Sequence, residues 1–218
     1  MRMPYPSGTI PRLFLFWLQR EVIRTGNAKV DLGTSLGGFM RDIGLDPDTG
    51  GGKRSDAFRL KSQLPRIMKA EVMLDRTEKD GHIQTEAHLD LKVASSYRFA
   101  WSYKEPDQGN LFDSWILVKQ ELVDIFQRPV PIDARMIRAL RGSSVGLDLV
   151  TILSYRAYSA VTKQRAVFLP YRGLMAQLGT GYSTVKDFKR FAINTQMKKI
   201  TAIWRGLELD EVDGGIQI

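Results

Sequence analysis

The most informative segment of the sequence is residues 183–204, in the second half of the chain, which read STVKDFKRFAINTQMKKITAIW. Apolar residues recur in it at helical spacing, and at 100° per residue one side of the predicted helix collects Val185, Phe188, Ala192 and Ile203. Polar residues fall on the opposite side, which collects Lys186, Arg190, Asn194 and Thr201. Ser183 is the predicted cap of this helix, and with Thr184 it brings hydroxyls and free N–H groups to a place where a phosphate can bind. The pattern predicts a helix with one packed face and one basic face.

The segments around this helix predict the domain that carries it. An apolar helix, a short strand and a short helix precede it, at Val145–Val161, Ala166–Leu169 and Tyr171–Leu178. A hairpin follows it, with strands at Leu207–Asp210 and Ile216–Ile218 around a turn at Asp213-Gly214-Gly215. A helix-turn-helix with a trailing β-hairpin is a winged helix, and we expect this fold in the second half.

The first half follows the same order. A helix, a strand, a second helix and a basic helix are predicted at Pro11–Thr25, Lys29–Leu32, Ser35–Ile43 and Ser55–Ala70. Alternating segments then predict strands at Glu71–Arg76, His82–Val93 and Tyr97–Tyr103, with a turn at Asp80-Gly81. The polar stretch 104–110 is the predicted boundary, which assigns the strand expected at Trp115–Val118 to the second half. We therefore expect an α+β protein with two tandem winged-helix domains, residues 1–110 and 111–218.

Positive charge is concentrated on the two basic helices. The chain has a formal net charge of +8 and an isoelectric point near 9.7. Residues 53–69 contain six Lys and Arg against one Asp, and residues 186–205 contain six against one Asp. Such segments are typical of proteins that bind a polyanion, and their placement favours nucleic acid.

We expect the DNA contacts on the polar faces of these helices and on the approach to the first of them. Guanidinium, ammonium and amide groups are the side chains that pair with base edges and phosphates. The candidate residues are Lys53, Arg54, Arg59, Ser62, Arg66, Lys69, Ser183, Thr184, Lys186, Arg190 and Asn194.

Other classes of function have little support in the sequence. The chain has no cysteine, and its only histidines, His82 and His88, have no third ligand near them, so we expect no metal, no cofactor and no catalytic residues. The loop 50–55 departs from a phosphate-binding loop because Arg54 stands where Ser or Thr should follow the lysine. The longest apolar run, Leu13–Leu18, is far shorter than the roughly 20 residues that span a bilayer. We expect a cytoplasmic protein with no membrane partner.

Several motifs resemble the plasmid-encoded RepA replication initiator family. The most specific is PVPIDARMIRALR at 129–141, continued by GLDL at 146–149 and LSYR at 153–156. Further matches are IPRL at 10–13, WL at 17–18, LG at 32–33 and VKDFK at 185–189, with DGGI at 213–216.

The resemblance implies binding to repeated sites at a plasmid origin, opening of the adjacent duplex, recruitment of host replication proteins, and self-repression as a homodimer. The residues themselves support two DNA-reading helices and no enzyme. Two alternatives remain open at this stage, a winged-helix transcriptional repressor and a module whose basic helices bind protein.

Overall fold

The structure is a computed structural model that describes residues 4–50, 52–80, 83–179 and 181–218, with the backbone alone at 72–80 and 83–90. The chain divides into two compact units, Met1–Pro129 and Val130–Ile218. Both contain helices and antiparallel strands, so the predicted α+β class is confirmed.

The first unit has four described helices and five described strands. The helices are α1 (Thr9–Thr25), α2 (Leu36–Asp42), α3 (Asp56–Met68) and α4 (Gln120–Phe126). The strands are β1 (Lys29–Asp31), β2 (Glu71–Asp80), β3 (Ile83–Lys92), β4 (Ala94–Arg98) and β5 (Trp115–Val118). A serine caps each of the helices α2 and α3: Ser35 accepts a hydrogen bond from the N–H of Gly38, and Ser55 accepts one from the N–H of Phe58.

Two antiparallel arrangements of strands complete this unit. Strands β2 and β3 form a long hairpin whose base is joined by an ion pair between Glu71 and Lys92 at 2.8 Å. Of its predicted turn, Gly81 lies outside the described residues, as does His82. The other sheet has the order β1-β5-β4, with Val30 and Tyr97 on either side of Ile116.

The predicted boundary at 104–110 differs from the division that the structure shows. This stretch packs on α2, where Gly37 donates its N–H to the carbonyl of Pro106 at 2.7 Å and Arg41 forms an ion pair with Asp107 at 2.8 Å. Strand β5 then pairs with β1 and β4 of the first unit. Residues 111–129 therefore belong to the first unit, because their hydrogen bonds are made there.

An apolar core joins α1, α2 and α3. Its largest side chains are less than 2 % exposed and include Phe14, Leu18, Phe39, Leu60 and Leu64. Phe39 contacts two tryptophans, edge-on to Trp17 at 5.1 Å and stacked with Trp101 at 5.0 Å between ring centroids. The apolar side of α3 therefore packs in the core, and the opposite side of that helix faces away from it.

The second unit contains helices and one three-stranded sheet. The segments before the basic helix are α5 (Ala134–Leu140), α6 (Ser144–Lys163), β6 (Phe168–Pro170) and α7 (Tyr171–Leu178). The basic helix comprises α8 (Val185–Asp187), a π-helical segment (Phe188–Ile193) and α9 (Asn194–Ile203), and strands β7 (Asp210–Val212) and β8 (Gly215–Gln217) follow it. The sheet order is β6-β8-β7, so the strand before α7 pairs with the second strand of the terminal hairpin.

Close packing in this sheet leads to a prediction for Gly215. A Cβ built at this position would overlap the backbone oxygen of Leu169 and would lie 2.5 Å from a ring carbon of Phe168. Gly215→Ala must push β8 away from β6, and we expect it to lower the free energy of unfolding by about 1–3 kcal/mol. Calorimetry of the full chain measures this loss. Gly206→Ala, where the added Cβ meets nothing within 4 Å, is the control, and an equal effect of both changes would contradict the expectation.

Candidate nucleic-acid interface

The basic helix of the second unit has a packed side and an exposed side. Its buried side chains are Phe188, Ala192, Ile193, Gln196 and Ile200. The side chains of Lys186, Arg190 and Asn194 are exposed, as the helical periodicity predicts. Val185 and Ile203, expected to be packed, are only half-buried.

The π-helical segment explains why the packed side differs from the one predicted. In an α-helix of 3.6 residues per turn, positions 188 and 200 point about 120° apart. The structure widens the helix here, because the N–H of Asn194 bonds the carbonyl of Lys189, five residues back. The wider turn lets Phe188 and Ile200 both face the core. Lys186, Arg190 and Asn194 stay on the outer side of the helix.

The predicted contact side chains on this helix are available to a ligand. Among the residues that the structure describes, no hydrogen-bond or ion-pair partner is found for the side chains of Lys186, Arg190 or Asn194. The guanidinium of Arg190 lies over the ring of Phe191, with 5.1 Å from its carbon to the ring centroid. An arginine and an amide in this state can donate to base edges without first breaking a hydrogen bond or an ion pair inside the protein.

The start of the helix corrects one prediction. Thr184 is the cap, and its hydroxyl accepts from the N–H of Asp187 at 3.1 Å and donates to the carboxylate of the same residue at 2.7 Å. Ser183, the predicted cap, is exposed one residue earlier. Threonine followed three residues later by an acid is a capping arrangement, and it can be recognised in the sequence. The Thr184 hydroxyl is therefore engaged within the helix.

The candidate residues of the first unit fall into three environments. Lys53 and Arg54 are exposed ahead of α3, and Lys69 is exposed at its end. Arg59 forms an ion pair with Asp56 at 3.0 Å. Ser62 and Arg66 are half-buried. Among the candidate residues of this unit, Lys53, Arg54 and Lys69 are the exposed cations for which no ion pair with a described residue is found.

Sequence reasoning missed the role of Lys189. Its Nζ donates to Glu211 on β7 and lies 5.3 Å from the ring centroid of Tyr171, the first residue of α7. The hydrogen bond to Glu211 raises the pKa of Lys189, and burial raises the pKa of Tyr171. The N–H of Tyr171 in turn donates to Gly214 in the hairpin turn at 2.9 Å. Lys189 thus joins the basic helix to the hairpin, and no sequence pattern links residues so far apart.

No helix within the described ranges has both the length and the apolar character needed to cross a bilayer. No curated protein and no solved structure matches the chain.

The chain belongs to a family of plasmid replication proteins. Residues 5–169 match the family described as plasmid encoded RepA protein, and they include the motif at 129–141 that carries the resemblance. The match ends at Leu169 in β6. The basic helix at 185–203 lies beyond the matched residues.

Proposed function

We propose that this protein initiates replication of its plasmid, as a non-enzymatic protein that binds repeated duplex sequences at the plasmid origin in the cytoplasm. In this proposal it opens the adjacent duplex, recruits host replication proteins and represses its own synthesis as a homodimer. The family match supports the link to plasmid replication. The observation that carries the DNA-binding part is the exposed row of Lys186, Arg190 and Asn194 on a helix whose other side is packed.

Each unit is proposed to be a winged-helix domain. The second unit supports this with its order of helix, strand, helix, basic helix and hairpin, and with the sheet order β6-β8-β7. The first unit has α1, β1, α2, α3 and the hairpin β2-β3 in the same order. In such a domain the helix before the hairpin enters the major groove. The recognition helices are then α3 in the first unit and the helix at 185–203 in the second.

The two regions are proposed to have different roles. Arginine pairs bidentately with guanine and asparagine with adenine, which assigns base reading to Arg190 and Asn194. Lys53 and Arg54 precede α3 as exposed cations and are assigned to phosphates, with further contacts from Arg59, Ser62, Arg66, Lys69, Ser183, Thr184 and Lys186.

Removing the Arg190 guanidinium tests this assignment. We expect Arg190→Ala to weaken binding to an origin repeat by about 1–3 kcal/mol, while affinity for random duplex changes little. Lys53→Ala and Arg54→Ala should weaken binding to both duplexes alike, because a phosphate contact does not depend on sequence. Fluorescence anisotropy with the two duplexes at one salt concentration measures both effects.

The matched control is Arg165→Ala, an exposed arginine outside the basic helix, which should bind like the wild type. Equal unfolding temperatures for all variants are required, since Arg190 also covers the Phe191 ring. If Arg190→Ala weakens random duplex as much as the repeat, the helix clamps the backbone and does not read bases. If the wild type prefers no origin repeat over random duplex, the proposed function is wrong.

A further inference from the structure

Phe191 is an exposed aromatic residue in the middle of the basic helix. Its side chain is 53 % exposed and lies beside Arg190 in sequence, three residues before Asn194. A single apolar residue on a surface is ordinary, so exposure alone assigns it no role. Its position between Arg190 and Asn194, the two proposed base-reading residues, is what suggests a role.

The π-helical segment places Phe191 outside. Within Phe188–Ile193 the residues at 188, 192 and 193 are each at most 4 % exposed, whereas Arg190 and Phe191 are exposed. Arg190 and Phe191 therefore leave the helix side by side, with the guanidinium over the ring at 5.1 Å. The contact presents a donor group and an apolar ring together.

We propose that Phe191 contacts the C5-methyl group of a thymine in the major groove, next to the base that Arg190 reads. This inference rests on the proposed function and names part of the sequence that the site recognises. The C5-methyl is the apolar group of the major-groove edge that side chains such as phenylalanine contact. Lys186 is an exposed cation on the same side that complements a phosphate, and the Arg190 guanidinium is a donor for a base edge. Both favour DNA as the partner of this face over an apolar protein surface.

Uracil substitution in the DNA isolates this contact, because deoxyuridine lacks only the methyl group. Duplexes carrying one origin repeat, with each thymine replaced in turn by deoxyuridine, are titrated with the full chain. Burial of one such carbon is worth about 0.8 kcal/mol, so the wild type should lose about fourfold in affinity at one position of the repeat. Phe191→Ala should bind the thymine and deoxyuridine duplexes equally at that position.

Two further variants separate the contact from general damage. Phe191→Leu keeps an apolar side chain and should keep most of the discrimination. Tyr155→Ala is the matched control, because Tyr155 is 56 % exposed on α6 and lies beside Arg156, whose guanidinium carbon is 5.9 Å from its ring centroid. It should discriminate thymine from deoxyuridine as the wild type does.

The outcomes distinguish this inference from the proposed function. If the wild type does not prefer the origin repeat over random duplex, both are overturned. If it prefers the repeat but no deoxyuridine replacement weakens binding, the role of Phe191 alone is overturned. The role of Phe191 is also overturned if Phe191→Ala loses as much affinity as the wild type when thymine is replaced by deoxyuridine. It is overturned as well if Tyr155→Ala no longer distinguishes thymine from deoxyuridine.

Discussion

Raising the salt concentration from 50 to 200 mM should weaken binding of the protein to duplex DNA by about three to four orders of magnitude. The expectation follows from about six to eight neutralised phosphates, each of which contributes about −0.9 to the slope of log K against log salt, for a slope of roughly −5 to −7. The structure supports this number of contacts. Among the described residues, the Lys and Arg of the two basic segments without an acidic partner are Lys53, Arg54, Lys61, Arg66, Lys69, Lys186, Arg190, Lys198, Lys199 and Arg205.

Titrations at five or more salt concentrations give the slope. Arg54→Ala should reduce its magnitude by about one, since one phosphate contact is lost. Arg20→Ala is the control, because this arginine forms an ion pair with Glu21 on α1 and should leave the slope unchanged. A slope near zero for the wild type would contradict nucleic-acid binding altogether.

Phe188→Ala should lower the free energy of unfolding of the second unit by about 3–5 kcal/mol, which is the range for truncating a buried phenylalanine to alanine. Phe188 is fully buried, contacts the ring of Tyr182 at 6.1 Å between centroids, and begins the π-helical segment. Its loss leaves a cavity under the basic helix. For a unit of this size, such a loss lowers the unfolding temperature by well over 10 °C, at roughly 4–8 °C per kcal/mol.

Calorimetry of the full chain measures this shift, and the chain itself offers a close control. Phe191 lies three residues further on in the same segment but is 53 % exposed, so Phe191→Ala should change stability by only a few tenths of a kcal/mol. Equal losses for the two variants would mean that the helix does not pack on the side the structure shows.

The sequence predicted the elements whose signals are local. The sequence places the starts of α2 and α3 at Ser35 and Ser55, and in the structure the hydroxyl oxygen of each serine accepts a hydrogen bond from the backbone N–H three residues later. The carboxylate of Asp133 caps α5 in a similar way, by accepting from the N–H of Arg135. Gly26 ends α1 with φ of 67°, a left-handed conformation that glycine adopts without strain. Such interactions lie within one turn of helix, and a few residues are enough to specify them. The exposure of Lys186, Arg190 and Asn194 was predicted for the same reason, since helical period alone separates them from Phe188.

Several features of the protein depend on contacts between residues far apart in the chain, and these features are set by the tertiary structure. The polar stretch at 104–110 has the composition of a linker, yet it packs on α2 because Gly37 has no side chain to hold Pro106 and Asp107 away. The packed side of the basic helix takes in Phe188, Ile193 and Ile200 together, and the π-helical segment brings the directions of Phe188 and Ile200 closer than the 120° of a regular α-helix. The same widening turns Phe191 outward beside Arg190, and Lys189 finds Glu211 only when the hairpin folds back onto the helix. In each case the stabilising free energy comes from burial and pairing between segments that are distant in the sequence. A local pattern of residues does not predict such contacts.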